Sequence, residues 1–524
     1  MISCAFGADS KVTLKLGDGE CWWGGNNVDG VAMPYTAETN LSRDLMNNMG
    51  NQAQPLLISN QGRWIWCDQP MKFSFEKGTL TATSEYAKVQ HGTAGETLQS
   101  AFSHVSKSFF PPSGTMPDPL LFTAPQYNTW IELIYEQTQS GVTKYADAIV
   151  ENGYPVGVLM IDDNWQEDYG TWEFSAKRFS DPKAMMKRMH GQGFKVMMWI
   201  CPFVSADSQT FRHLAKEGML LLDPQKTQDI LWANTRNKAA VVRWWNGASA
   251  LLDLSNPKSN NWFKSELDRL VNDYGVDGFK FDAGDTNFYQ NGVVSFKESL
   301  PSDHCRYFAE FGLNYPLNEY RACFKMAGQP LAQRLRDKGH KWADMEQLIP
   351  GILSQGLMGY AFTCPDMIGG GEYTTFLDGA VIDEELVVRS AQVHALMPMM
   401  QFSVAPWRVL SKENAEICKQ MALLHAEFGE EILTLAKESA KTGEPIARAL
   451  AWHWPTLGYE QVKDQFMMGG KLMVAPVIKK GQRSRMVKFP PGKWKGDDGS
   501  VVKGPVEKEI SVPIERLPYF RLVD

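Results

Sequence analysis

The feature that most constrains this chain is a series of short, largely apolar runs that stop abruptly on polar residues or proline. Val156–Ile161 ends at Asp162 and Asp163, Lys195–Ile200 ends at Pro202, and Gly278–Phe281 ends at Asp282. A strand apolar at every position, rather than at alternate ones, is buried on both faces. Helix-length segments separate these runs. Lys187–Gln192 reads as the end of a helix closed by Gly193, and Trp262–Tyr274 as an amphipathic helix. Leu251–Leu254 reads as a further strand. Repetition of this strand-then-helix unit from about 125 to 410 predicts a parallel sheet covered by helices, with a closed (β/α)8 barrel as the leading form. A doubly wound open sheet is the alternative, but no GxGxxG follows a first strand.

The flanks read differently. Residues 1–120 carry short aromatic or alternating runs (Lys11–Leu16, Trp64–Cys67, Met71–Phe75) and no long helical pattern. Pro111–Pro119 reads as a linker. Residues 385–440 read as helical, and after Asp464 short strands return: Leu472–Val477, Ser484–Phe489 and Glu509–Val512. The expectation is a multidomain α/β chain: an N-terminal β-sandwich over 1–120, a (β/α)8 barrel over 121–410, and a helical connection with a C-terminal β-sandwich over 411–524. A length of 524 residues allows two to four such units.

Composition serves mainly to exclude. The net charge of −7 and the absence of a long basic run argue against nucleic acid as a partner. No stretch of 18 apolar residues predicts a membrane helix. The first twenty residues lack a secretory pattern, so a cytoplasmic protein is expected, with a processed secreted form as the alternative. Eight scattered Cys form no CxxC, and the nine His are dispersed, so neither a metal site nor a cofactor is expected. Among 17 Trp, Trp165, Trp199 and Trp407 fall near the expected functional end of the barrel, and the others read as core.

Chemistry in a barrel sits where the strands end at their C-terminal face. Three places put carboxylates there: Asp162–Asp163, Asp282 with Lys280 two residues before it, and Asp366. A single Asp after a strand also caps a helix or makes an Asx-turn. Several on one face point instead to paired carboxylates, the equipment of glycosidic hydrolysis, in which one attacks the anomeric carbon and another protonates the leaving oxygen.

These residues stand in motifs that resemble glycoside hydrolase family 31. Asp277-Gly-Phe-Lys-Phe-Asp282-Ala-Gly-Asp285 is similar to that family's nucleophile motif, in the form found in its α-galactosidase-like branch. Cys364-Pro-Asp366-Met-Ile-Gly-Gly resembles another motif of the same branch. Asp464–Val477, Pro491–Trp494 and Leu517–Arg521 resemble the segments after the barrel, so the likeness covers about 125–524 well and 1–120 weakly.

The resemblance implies roles. Asp282 is the expected nucleophile. Asp337, five residues before Trp342 and 29 before Asp366, is the expected acid/base, although Arg336 stands where the family commonly has Gly. Asp344 is the rival, better read as part of the following helix. Arg321, 16 residues before Asp337, is the expected sugar-binding arginine. Asp162, Asp163, Trp199, Lys280 and Asp366 complete the expected sugar-binding set. Ser403, in Met397–Ser403, stands where the α-glucosidases carry His. The implied activity is that of a retaining exo-acting α-glycosidase on a small α-linked oligosaccharide or glycoside. α-Galactoside is the leading substrate, and α-glucoside, α-N-acetylgalactosaminide or a modified sugar the alternatives. Chain association is common in such proteins, so a homo-oligomer is compatible with the resemblance. A non-catalytic sugar-binding barrel and a metal-dependent hydrolase are the competing classes.

Overall fold

The computed structural model describes residues 10–224, 238–289 and 292–523. Its centre is a parallel barrel of eight strands: β1 (Gln126–Asn128), β2 (Val158–Ile161), β3 (Lys195–Ile200), β4 (Gly278–Phe281), β5 (Leu317–Tyr320), β6 (Gln333–Arg334), β7 (Thr363–Cys364) and β8 (Gln401–Phe402). Each strand pairs in parallel with the next, and β8 returns to β1. Closure between β7 and β8 runs through the Met367–Gln401 bridge, with Ile368 N donating to Gln401 O at 2.9 Å.

The apolar runs explain the strands, because every residue of β2 and β4 is buried. Gly278 opens β4 because a Cβ there would lie 1.8 Å from Leu317 O on β5. The covering helices carry their own boundaries. Pro182–Gly191 starts with Asp181 accepting from Ala184 N at 2.9 Å and Pro in the first turn, and it buries Met185, Met186 and Met189. Pro257–Tyr274 is capped by Asn256 and ends on a left-handed Gly275.

Leu251–Leu254 is not a barrel strand. Gly247–Leu251 pairs antiparallel with Val241–Trp244 and with Phe203–Ser205, forming a three-stranded insertion after β3. Short apolar runs do not distinguish a parallel core strand from the buried edge of such a hairpin.

Before the barrel lie two sheets. One orders Ser10–Lys15, Thr79–Ser84, Lys72–Glu76 and Leu41–Asp44. The other contains Trp22–Asn26, Gln52–Ser59, Arg63–Cys67 and Val89–Thr93. Cys323–Phe324, from the segment after β5, pairs in parallel with Gln52–Ala53 and joins the second sheet to the barrel. Aromatic side chains fill the interior of this region, with Tyr35 against Phe75 at 4.8 Å between ring centroids. The expectation of no long helix before 120 fails at Leu98–Phe109. Its N-terminus is a Thr97/Ser100 box, and Leu98, Ala101, Phe102 and Val105 are buried, with Phe109 stacked on Trp66.

After the barrel, helices Lys412–Glu427 and Gly429–Thr442 lead into a single six-stranded sheet over residues 447–522. The expected second sheet of a C-terminal sandwich is not found among the described residues. The strand runs there were read as separate short strands, but Ser484–Gly496 and Val501–Ser511 are two long arms of one hairpin within that sheet. No described helix is long and apolar enough to cross a membrane.

Candidate active site

The segments that follow β1 to β7 at their C-terminal ends converge on a cavity of about 370 Å³. Asp282 follows β4 at its floor and is 9% exposed. Trp199 Nε1, from β3, donates to its Oδ2 at 3.0 Å. Arg321 Nε, just after β5, donates to its Oδ1 at 2.7 Å. Burial alone would raise the Asp282 carboxyl, but Arg321, Lys280 and Arg334 outweigh it and hold the group well below the ordinary carboxylate range. Arg321 is itself fixed, since its Nη2 donates to both Asp285 oxygens at 2.9 and 3.1 Å.

Beside the nucleophile candidate, Lys280 Nζ donates to Asp162 Oδ2 at 2.5 Å. Asp163 accepts from Tyr169 OH at 3.0 Å and from Asn246 Nδ2. Burial, with the Asp162 charge next to it, pushes Asp163 up to about 7. Asp337 lies on the loop after β6, lines the same cavity and is 58% exposed. Arg334 Nη1, buried beneath it, donates to Asp337 Oδ1 at 2.7 Å. The protein crowded around the cavity mouth desolvates the Asp337 carboxyl and raises it although the side chain faces the opening, yet Arg334 and then Arg321 outweigh this and keep it below its usual range. The backbone is left-handed at Asn164 (φ +77°) and Ala283 (φ +58°), directly after Asp163 and Asp282, which turns the chain sharply at the two carboxylate positions.

Of the residues singled out from sequence, Asp162, Asp163, Trp199, Lys280, Asp282, Arg321 and Asp337 line this cavity. Two others do not. Asp366 is fully buried; it accepts from Arg334 Nη1 at 2.6 Å and from Lys338 N at 2.9 Å, so it braces the Asp337 loop from behind. Ser403 is also fully buried, its Oγ accepting from Ile131 N at 2.8 Å. The strand-end position that made both attractive places their side chains into the packing around the barrel rim. Trp165 is likewise buried, donating to Trp199 O, and Trp407 packs on Tyr145 and Tyr154 at a separate groove. Asp344 sits on the short helix Trp342–Met345 and accepts from Gly339 N at 2.9 Å.

Sequence reading missed Arg334, Asp285, Trp130, Tyr135, Trp245 and Asn246. The last two had a signal, for Trp244-Trp-Asn246-Gly247 is an Asn-Gly hairpin turn between two apolar strands. Arg334 had none, because a buried arginine is indistinguishable in sequence from an exposed one. No cluster of three or more His, Cys, Asp or Glu among the described residues is arranged to hold a metal ion.

Residues 122–334 match the model of the glycosyl hydrolases family 31 TIM-barrel domain, and 443–521 that of the glycosyl hydrolase family 31 C-terminal domain. Myogenesis-regulating glycosidase of Mus musculus is 32% identical over 440 residues, covering 81% of this chain and 60% of that protein. Alpha-glucosidase 2 of Bacillus thermoamyloliquefaciens is 24% identical over 552 residues, covering 98% and 66%. Alpha-xylosidase XylQ of Lactiplantibacillus pentosus is 24% identical over 505 residues, covering 86% and 60%. The chain thus spans three-fifths to two-thirds of the length of these relatives. Among solved structures, a Flavobacterium johnsoniae family 31 dextranase complexed with glucose superposes with a TM-score of 0.83 at 19% identity, covering 98% of this chain and 66% of that one.

Proposed function

Since the chain belongs to glycoside hydrolase family 31, we propose that it hydrolyses terminal α-glycosidic bonds of small oligosaccharides or glycosides, with retention of configuration. The observation that carries this reading is the pair of carboxylates on one cavity, Asp282 at the floor and Asp337 toward the opening. Asp282, clamped by Arg321 and Trp199, stays ionised and attacks the anomeric carbon. Asp337 gives its proton to the leaving oxygen and then takes one from the incoming water. Electrostatics support the change of role. The Asp282 charge raises the proton affinity of Asp337, and esterification of Asp282 removes that charge, so Asp337 holds a proton less tightly after the first step and stands ionised, ready to act as the base.

The sugar is a finer matter. The Lys280-Phe-Asp282-Ala-Gly284 form of the nucleophile motif supports α-galactoside. The names of the relatives, an α-glucosidase and α-xylosidases, support an α-glucoside or α-xyloside more strongly. Initial rates on the three aryl α-glycosides, measured side by side, rank them.

Asp282→Ala is expected to lower kcat on an aryl α-glycoside by on the order of 10⁴-fold. Added azide should restore turnover and yield the β-glycosyl azide, since a small anion fits where the carboxylate stood. Near-native turnover by Asp282→Ala sinks the assignment.

A further inference from the structure

The hairpin inserted after β3 supplies Trp245 to the cavity, where about half of this large side chain is exposed. Trp244 and Trp245 are neighbours in sequence and opposites in placement. Trp244 is buried and stacks on Trp199, 6.4 Å between ring centroids with planes 14° apart. Trp245 lines the cavity and is 49% exposed. An indole left half in water loses the benefit of burying a large apolar surface unless a ligand covers it.

Its surroundings hold it still. The Arg321 guanidinium lies 5.2 Å from the Trp245 ring centroid, Trp244 meets it edge-on at 4.8 Å, and Phe288 stands at 6.2 Å. The adjacent turn residue, Asn246, donates to Asp163 and accepts from Tyr135 OH at 2.8 Å. The indole is therefore presented in a fixed orientation on a pinned hairpin, the condition for binding without an ordering cost.

Exposure places it along the path of the reaction. Asp162, Asp163, Lys280 and Asp282 are all at or below 9% exposed, so they form the floor. Trp245 and Asp337 stand in the more open wall, with Glu372 also exposed there.

We propose that Trp245 is the platform for the leaving group, so that the chain selects substrates whose leaving group is a ring with an apolar face, a second pyranose or an aryl group. The C–H face of a pyranose matches the negative face of an indole, and an aryl ring packs against the same face offset-stacked or edge-on. This inference rests on the hydrolase reading above and deepens it.

The test compares substrates with and without a ring to stack. Native chain, Trp245→Ala and Trp245→Phe are assayed on α-glycosyl fluorides, methyl α-glycosides, p-nitrophenyl α-glycosides and α-linked disaccharides of galactose, glucose and xylose. Fluoride has no ring and needs little acid assistance. The expected result for Trp245→Ala is a loss of about 10- to 100-fold in kcat/KM on aryl glycosides and disaccharides, with fluorides and methyl glycosides within about twofold of native. Trp245→Phe should recover most of the aryl activity. A loss on fluorides as large as that on disaccharides would make Trp245 a brace for Arg321 and overturn the proposal, as would unchanged rates throughout. A loss on aryl glycosides without one on disaccharides confines the platform to aryl leaving groups, and the reverse confines it to pyranoses. A native chain that turns over none of these fluorides overturns the hydrolase reading itself, and the platform with it.

Discussion

At the scale of single residues, Arg334 governs the behaviour of Asp337. It is 1% exposed, and its Nη1 reaches Asp337 and Asp366 together. Glu319, 3.4 Å from its Nε, adds a third carboxylate and is pushed up to about 6 by burial against the pull of Arg334. Arg334 favours the ionised form of Asp337, and a general acid works only while protonated. Activity should therefore fall as pH rises through a depressed Asp337 value. Arg334→Met removes the depressing charge, so the alkaline limb of kcat/KM should move to higher pH. The same change leaves Asp366 buried without its arginine, at a cost of about 3–5 kcal/mol in unfolding free energy. A pH–rate profile and a denaturant titration read the two effects. An alkaline limb that stays in place would show that Arg334 does not set the acid.

At the scale of elements, the loop carrying Asp337 is held by the loop after β7. Gly371 N donates to Lys338 O at 2.8 Å, His340 Nδ1 is 2.8 Å from Gly369 O, and Asp366 accepts from Lys338 N. Gly370 has φ +101°, and a Cβ on it would lie 2.8 Å from both Gly339 O and Lys338 O. Gly370→Ala should push the Asp337 loop outward. The expected outcome is a fall of about tenfold or more in kcat on substrates with poor leaving groups, with a much smaller effect on glycosyl fluorides, which need less proton donation. Equal losses on both would mean that the loop positions more than the acid. The Pro-Asp-Met-Ile-Gly-Gly motif was read as a sugar contact. In the structure Met367 of this motif lines the cavity, while Asp366 is buried and braces the loop of the proposed acid.

At the scale of the whole molecule, the N-terminal sheets reach into the barrel at its most charged point. Gln52 Nε2 donates to Arg321 O at 2.6 Å and Arg334 O at 2.9 Å, and Asn51 Nδ2 donates to the same two carbonyls. Cys323–Phe324 extends the sheet that carries Gln52. The backbones of the two arginines that tune Asp282 and Asp337 are thus anchored from another layer of the fold. Gln52→Leu should destabilise the chain by about 1–3 kcal/mol, since the buried Gln355 Nε2 loses its acceptor Gln52 Oε1 and the two carbonyls keep only the Asn51 donor. It should also lower kcat several-fold without changing the identity of the preferred sugar. Native kcat together with native stability would show that the contact is incidental.

The sequence alone determined the barrel and the places where it ends in carboxylates. Strands buried on both faces are apolar at nearly every position, so β2, β3 and β4 and the residues that stop them are written plainly in the chain. It determined the ordered motifs for the same reason, since each is continuous within one strand end or loop. Only the tertiary structure decided which of those polar residues face the cavity. Asp366 and Ser403 occupy strand ends as Asp282 does, yet both turn into packing, because side-chain direction at a sharp turn depends on what the neighbouring loops leave open. It also decided the electrostatics. Arg321, Arg334 and Asp285 act through distances set by separate strands. Asn51 and Gln52 come from another sheet altogether, and no local pattern records a contact made across some 270 residues of chain.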